Sequence, residues 1–251
     1  MHILIAEAFD ARLPERLAPF GTVSSDLATL AEAQVLLVRS KTKVDADLLA
    51  KAPNLQLVIR GGVGMDNVDK AACAARGVKA MNTPRASSVA VAEMAMAFMV
   101  AIPARLIEAH VSMKEGKFLK KELKRTELFQ KTLGLVGAGN IATEVAKRAQ
   151  AFGMEVLAFD PFLKEHPIAR MVSLEELAAK ADVISLHTPL TDETRGMIHA
   201  GLIAQMKDGA ILINTGRGKC IVEADVTAAL ESGKLRAYGT DVWPSDPPPA
   251  D

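Results

Sequence analysis

Aromatic residues are scarce in this 251-residue chain: one Trp, one Tyr and eight Phe. So few rings argue against a base-stacking platform for nucleic acid. Charge of either sign is not in excess, because 30 Lys and Arg balance 30 Asp and Glu. A net charge of zero leaves no electrostatic footprint for DNA, RNA or an anionic membrane. Only two cysteines occur, Cys73 and Cys220, far apart and outside any CxxC spacing, which excludes a disulfide framework and a zinc site of that type and fits a reducing compartment. The longest apolar run, from Met94 to Ala104, contains Pro103 and falls short of the ~18 residues a membrane span needs. Glu7 and Asp10 interrupt the N-terminal apolar run, and no basic segment precedes it, unlike a secretory signal. A cytoplasmic, soluble protein acting on a small molecule is expected, with neither nucleic acid nor membrane as partner.

What is present is a chain that can build a core. Hydrophobic residues make up 49 % and charged residues 24 %, and a chain of this size removes roughly 70–75 % of its unfolded surface from water. At roughly 150 residues per domain, one large domain or two modest ones are expected. Short runs rich in Val, Ile and Leu recur at 2–6, 35–39, 57–60, 78–81, 132–136, 156–160, 183–186 and 211–214. Their alternation with helical stretches predicts an α/β protein with parallel sheets covered on both faces. Residues 88 to about 117, rich in Ala and Met, predict a long spine helix joining two halves, bent or split by Pro103 and stopped near Gly116. The domain boundary is expected near the start of that helix. The proline-rich tail reads as a loop.

The stretch 132–161 is the most informative. A strand (TLGLV) runs into Gly137-Ala138-Gly139-Asn140-Ile141-Ala142, then a helix, then a second strand ending at Asp160. Gly137 permits the tight turn, Gly139 lets backbone approach a pyrophosphate, and the small Ala142 lets the helix pack close to the sheet. Asp160 stands where a carboxylate accepts hydrogen bonds from an adenosine ribose and repels a 2′-phosphate, so NAD is expected in preference to NADP.

Other strand ends carry arginines. Arg60 precedes Gly61, Gly62, Val63 and Gly64, whose backbone N–H groups can form an anion-binding concavity. On spacing alone this loop reads equally well as a flexible connection with a solvated arginine. Arg39, at the end of VLLVR, invites the same two readings, and a pair of guanidinium groups there would suit a doubly anionic substrate. Arg217, between Gly216 and Gly218, reads by itself as a turn with an exposed charge. Of the five histidines, His2, His110, His166 and His199 read as structural or solvated, and His187 as a wall of a cofactor site rather than a base.

Taken together, VRS with TKV, RGGVGMDN, MNTPRASSVAVAE, SMKEGKF, TLGLVGAGNIA, FGMEVLAFDP, ADVISLHTPLTDETRGMI, INTGRGKCIVEADVTAALESGKL and GTDVW resemble the D-isomer-specific 2-hydroxyacid dehydrogenases, and within them the phosphoglycerate dehydrogenase branch. The resemblance implies a flavodoxin-like substrate domain at 1–98, incomplete without a C-terminal return. A Rossmann NAD-binding domain follows at 99–251, cut short at its end, with the active site in the cleft between the two. It implies oxidation of a D-2-hydroxy acid to a 2-keto acid, with hydride passed to NAD. Arg217 would bind the substrate carboxylate and polarise the carbonyl. Gly62, Val63 and Gly64 would hold the same carboxylate, and Arg39 with Arg60 a phosphate. The cofactor would be lined by Gly137, Gly139, Asn140, Ile141, Asp160, His187, Thr188, Pro189, Thr194, Thr215 and Gly216, with Asp241 on the nicotinamide carboxamide.

The chain also departs from the family pattern. Asp246 before Pro247 replaces the Glu that orients the catalytic histidine, and that histidine is expected beyond Asp251. The fingerprint's third glycine is Ala142, and Arg85, Ala86 and Ser87 replace a more polar run. The resemblance therefore implies either a chain that stops short of its catalytic histidine or an NAD-binding module without turnover. A 2-keto acid reductase of the glyoxylate or hydroxypyruvate type is the alternative enzyme. A homodimer through the cofactor domain and the spine helix is expected, because that helix carries more apolar surface than one crossover needs.

Overall fold

A computed structural model describes residues 1–245 and 248. The chain divides into two compact units, Met1–Ser87 and Ser88–Asp251.

The first unit runs β1 (His2–Ile5), α1 (Leu13–Leu17), β2 (Thr22–Ser24), β3 (Val35–Val38), α2 (Ala46–Ala50), β4 (Leu57–Arg60), α3 (Lys70–Ala75) and β5 (Lys79–Asn82). All strand pairs are parallel, in the order β2-β1-β3-β4-β5, which is the flavodoxin-like arrangement. Side chains alternate along each strand. Leu4, Leu36, Val38 and Val58 enter the core on one face, and Ile3, Ile5, Val35 and Leu37 that on the other. Short helices start where carboxylates cap them: Asp45 accepts from Leu48 N–H and Asp69 from Ala72 N–H.

The second unit runs α4 (Ser88–Ala101), α5 (Leu106–Lys114), β6 (Thr132–Val136), α6 (Asn140–Ala151), β7 (Glu155–Phe159), β8 (Arg170–Met171), α7 (Leu174–Lys180), β9 (Val183–Leu186), α8 (Ala200–Gln205), β10 (Ala210–Asn214), α9 (Glu223–Glu231) and β11 (Leu235–Thr240). Its six parallel strands follow the order β11-β10-β9-β6-β7-β8, the Rossmann order, with the reversal at β6 and β9. Strands β9 and β10 are buried along their whole length. Small residues let α6 lie close on α4: Ala142, Val145, Ala146 and Ala149 join Ala92, Ala95, Met96 and Met99 in one core.

The predicted spine is two helices bent by 65°. Pro103 sits in the break, as a residue without a backbone N–H requires. Arg105 follows with φ 55°, and just past the end of α5 stands Gly116 (φ 73°), whose N–H bonds the Met113 carbonyl while Lys117 N–H bonds that of Ser112. Among the described residues no single helix is long and apolar enough to cross a membrane. Strands β2, β8 and β11 were not expected from the sequence. They stand at sheet edges, and edge positions need no continuous apolar run.

Candidate functional site

The second unit gathers most of the expected cofactor residues at the C-terminal ends of β6, β9 and β10. Gly137 has φ 92°, a conformation that glycine adopts without strain. A Cβ there would come within 2.9 Å of the His187 carbonyl oxygen and 3.2 Å of Thr188 Cγ2. Parallel pairing of Val136 with Leu186 brings those residues together. At Gly139 the contrast is complete, since a Cβ would meet nothing within 4 Å. The N–H groups of Asn140, Ile141 and Ala142, at the head of α6, find no acceptor among the described residues. Open space against free helix N-terminal donors fits a pyrophosphate.

Asp160 ties this turn to the next strand. One carboxylate oxygen accepts from Ala138 N–H at 3.0 Å and the other from Phe162 N–H at 2.9 Å, and each oxygen keeps a further lone pair for a ribose hydroxyl.

His187 follows the end of β9. Its Nε2 lies 3.0 Å from Ser185 Oγ, and its Nδ1 3.5 Å from Thr215 Oγ1. The residue is half-buried, and burial drives the ring's pKa down to about 4, so at neutral pH the imidazole is uncharged. Thr194 closes the loop beyond it, its hydroxyl donating to the Pro189 carbonyl at 2.7 Å.

The 214–218 turn is shaped by a residue that the sequence reading missed. Asn214 is fully buried. Its amide donates to the Arg217 carbonyl at 3.0 Å, and its Oδ1 accepts from Gly216 N–H at 3.0 Å. Thr240 on β11 donates to the Asn214 carbonyl at 3.0 Å. Only position signalled this, an Asn at a strand end two residues before Gly216, and Asn favours such local side-chain turns. Arg217 is half-buried, with Nη1 donating to the Gly216 carbonyl at 2.8 Å. Gly218 is needed because any Cβ would collide with the backbone of Trp243 and Pro244. Asp241 follows β11; its side chain reaches solvent, but partial burial raises its carboxyl above the ordinary range. Asp246 lies outside the described residues.

In the first unit, β3 and β4 pair so that Val38 stands beside Arg60, which brings Arg39 and Arg60 to neighbouring strand ends. Gly62 has φ 145°, donates to Thr83 Oγ1 at 2.8 Å, and lies under the Arg60 guanidinium. Asn82 holds the Val63 carbonyl at 2.6 Å. The N–H groups of Val63 and Gly64 find no acceptor among the described residues, leaving two donors for an anion. Arg39 is exposed, its guanidinium 5.9 Å from the centre of the Phe9 ring, within cation–π range.

Glu7 is the second residue missed. Its carboxylate accepts the N–H groups of Arg39 at 2.8 Å, Thr42 at 2.9 Å and Lys41 at 3.1 Å. Burial alone would raise its pKa, but the bonds from Thr42, Arg39 and Lys41 outweigh burial and hold it below the usual value. Asn67 completes the clamp through the Arg39 and Thr42 carbonyls.

Residues 96–251 match the family model described as D-isomer specific 2-hydroxyacid dehydrogenase, NAD binding domain. The chain is 48 % identical over 218 residues to the hydroxypyruvate reductase of Thermotoga maritima, covering 86 % of this chain and 71 % of that protein. It is 42 % identical over 228 residues to the D-3-phosphoglycerate dehydrogenase of Methanocaldococcus jannaschii, covering 88 % of this chain but 43 % of that protein. Among solved structures, a D-lactate dehydrogenase from Aquifex aeolicus, complexed with NAD and lactic acid, superposes with a TM-score of 0.86 at 32 % identity, over 97 % of this chain and 77 % of that one.

Proposed function

Because the chain belongs to the D-isomer specific 2-hydroxyacid dehydrogenases and carries their NAD-binding domain, we propose that it oxidises a D-2-hydroxy acid, 3-phosphoglycerate, to the 2-keto acid. The observation that carries the substrate is the pair Arg39 and Arg60 on adjacent strand ends, next to the donor pair Val63 and Gly64. A phosphate on one end of a small acid and a carboxylate on the other give both groups a task.

NAD, when bound, would supply the hydride acceptor for this reaction. The turn from Gly137 to Ala142 would hold its pyrophosphate, Asp160 the adenosine ribose, and Asp241 the nicotinamide carboxamide, while His187, Thr188, Pro189, Thr194, Thr215 and Gly216 would line the site. Arg217 takes the substrate carboxylate and stabilises the charge that shifts on the reacting oxygen. Its guanidinium stays protonated and so cannot receive the hydroxyl proton. Neither does His187 at neutral pH, since a base with a pKa of about 4 has little driving force to take it. The role proposed for Asp246 is to orient the imidazole that does.

Likeness to a hydroxypyruvate reductase at 48 % identity favours a second reading, reduction of an unphosphorylated keto acid by the same machinery. Steady-state kinetics with NAD and 3-phosphoglycerate, against NADH and hydroxypyruvate, separate the two. On the first reading Arg39→Ala lowers kcat/KM for 3-phosphoglycerate by about 10–100-fold, the loss of one charge-assisted contact, and leaves hydroxypyruvate turnover within about twofold. Equal losses on both substrates would favour the second.

We also propose a cytoplasmic homodimer. Leu106, Ile107, Val111 and Met113 on α5 are exposed, an apolar face that a second copy would cover. Light scattering at micromolar concentration is expected to give twice the chain mass, and a monomer would refute it.

A further inference from the structure

His166 lies outside every motif of the site, yet its contacts lead into it. Its Nδ1 accepts two backbone N–H groups, from Ile168 at 3.2 Å and Ala169 at 3.0 Å. A nitrogen that accepts carries no proton, so in the neutral ring the proton sits on Nε2. That nitrogen is 2.9 Å from Thr143 Oγ1 on α6. The Thr143 hydroxyl donates in turn to the Gly139 carbonyl at 3.0 Å, leaving its oxygen to accept from Nε2–H. A single directed relay thus runs from the loop before β8, through the imidazole and the hydroxyl, to the second fingerprint glycine.

Asp160 makes the complementary tie. Its carboxylate joins Ala138 N–H to Phe162 N–H. Residues 161–169 are therefore stitched to the glycine turn at both ends, by Asp160 where the loop leaves β7 and by His166 where it enters β8.

We propose that His166 is a positioning residue for the dinucleotide site, and that its protonation releases the adenosine-side loop and weakens NAD binding. A second proton must go on Nδ1, where it faces the Ile168 and Ala169 N–H donors, so the doubly protonated ring and the closed loop exclude each other. The charged residues on the elements around it are Glu144 and Lys147 on α6, paired with one another at 2.7 Å, Lys164 and Glu165 on the loop, and Arg170 on β8, paired with Glu176 at 3.0 Å. Burial of the ring pushes its pKa below the ordinary 6.5. For a base lowered on folding, the closed form is undisturbed above about pH 6.5 and loses ground as pH falls below that value.

The test is NADH affinity by fluorescence titration of the full chain from pH 8 to 5.5, with the pKa of His166 followed by NMR. NADH is expected to bind several-fold more weakly at pH 5.5 than at 7.5, and, by linkage, saturating NADH is expected to lower the His166 pKa further. His166→Ala weakens binding at pH 7.5 about tenfold, equivalent to ~1.4 kcal/mol. His166→Gln, whose amide accepts on one side and donates on the other, recovers most of that loss with a flat pH profile. An unchanged pH slope in His166→Gln, or a His166 pKa indifferent to NADH, overturns the proposal. Should the variants fail to fold, the NMR titration of the unmodified protein decides alone. Absence of NADH binding at every pH would refute the cofactor site itself, a separate outcome.

Discussion

The loops at Gly62 and Gly137 occupy equivalent places, each following a parallel strand with a positive φ, yet they are fixed by different means. Around Gly137 the neighbours are backbone and half-buried side chains: the His187 carbonyl, Thr188, and the Asp160 carboxylate that holds the next N–H. Around Gly62 they are a flexible guanidinium and side chains near the surface, with Glu7 and Asn67 bracing the adjacent loop. The sheets differ in the same way. Strands β9 and β10 are wholly buried, whereas β5 alternates between exposed and half-exposed residues. The proposed cofactor turn thus leans on the buried strands of one unit. The proposed anion cradle of the other sits on a loop nearer the surface, where sequence and conformation vary more readily.

The largest expected effect contrasts the arginines. Arg217 is held half-buried against its own turn, and Arg217→Ala should lower kcat/KM by about 10²–10³ or more, the loss typical of a donor aimed at developing charge, for any substrate. Arg39, being exposed, should matter for phosphorylated substrates alone. Comparable kinetic losses at both positions would erase the distinction.

Next come the glycines. Gly137→Ala drives a methyl group at a backbone carbonyl that cannot swing away, and at least a tenfold loss of NADH affinity is expected by calorimetry. At Gly62 the methyl meets a movable side chain, so Gly62→Ala should cost only the backbone strain of about 1–3 kcal/mol and raise substrate KM without changing NADH affinity.

The smallest effect concerns the clamps. Asn214→Ala strands the buried Gly216 N–H and should destabilise the protein by about 1–3 kcal/mol in urea unfolding. Glu7→Gln keeps an acceptor and should cost about 0.5–1.5 kcal/mol. The Glu7 contribution has a definite pH dependence. Because folding lowers its pKa from 4.5, the stabilisation is present above that value and is lost as pH falls through the folded one. The Gln variant should lack this acid-side loss.

Much of this architecture was legible in the sequence because central parallel strands must be apolar on both faces, and runs such as VLLV and ILIN announce themselves. The pyrophosphate turn was legible too, since Gly137 and Gly139 answer to steric demands that few residues meet. Edge strands such as Arg170–Met171 left no such trace. Glu7 and Asn214 were missed for another reason: their partners are backbone N–H and carbonyl groups, which every residue possesses, so no partner residue type flags them. The resemblance supplied the remaining roles, including that of Asp246, where composition and spacing were silent.

The pairing of Leu133 with Val183 joins positions fifty residues apart, and it has a kinetic meaning. β6, α6 and β7 form a contiguous parallel βαβ unit whose pairing closes a short chain loop, while β9 must close a longer one before it docks. Only then does the His187 carbonyl arrive behind Gly137. The dinucleotide turn is therefore expected to be completed by one of the slower events in the assembly of its sheet, so that a nascent chain lacking β9 would present the fingerprint sequence without the finished cradle.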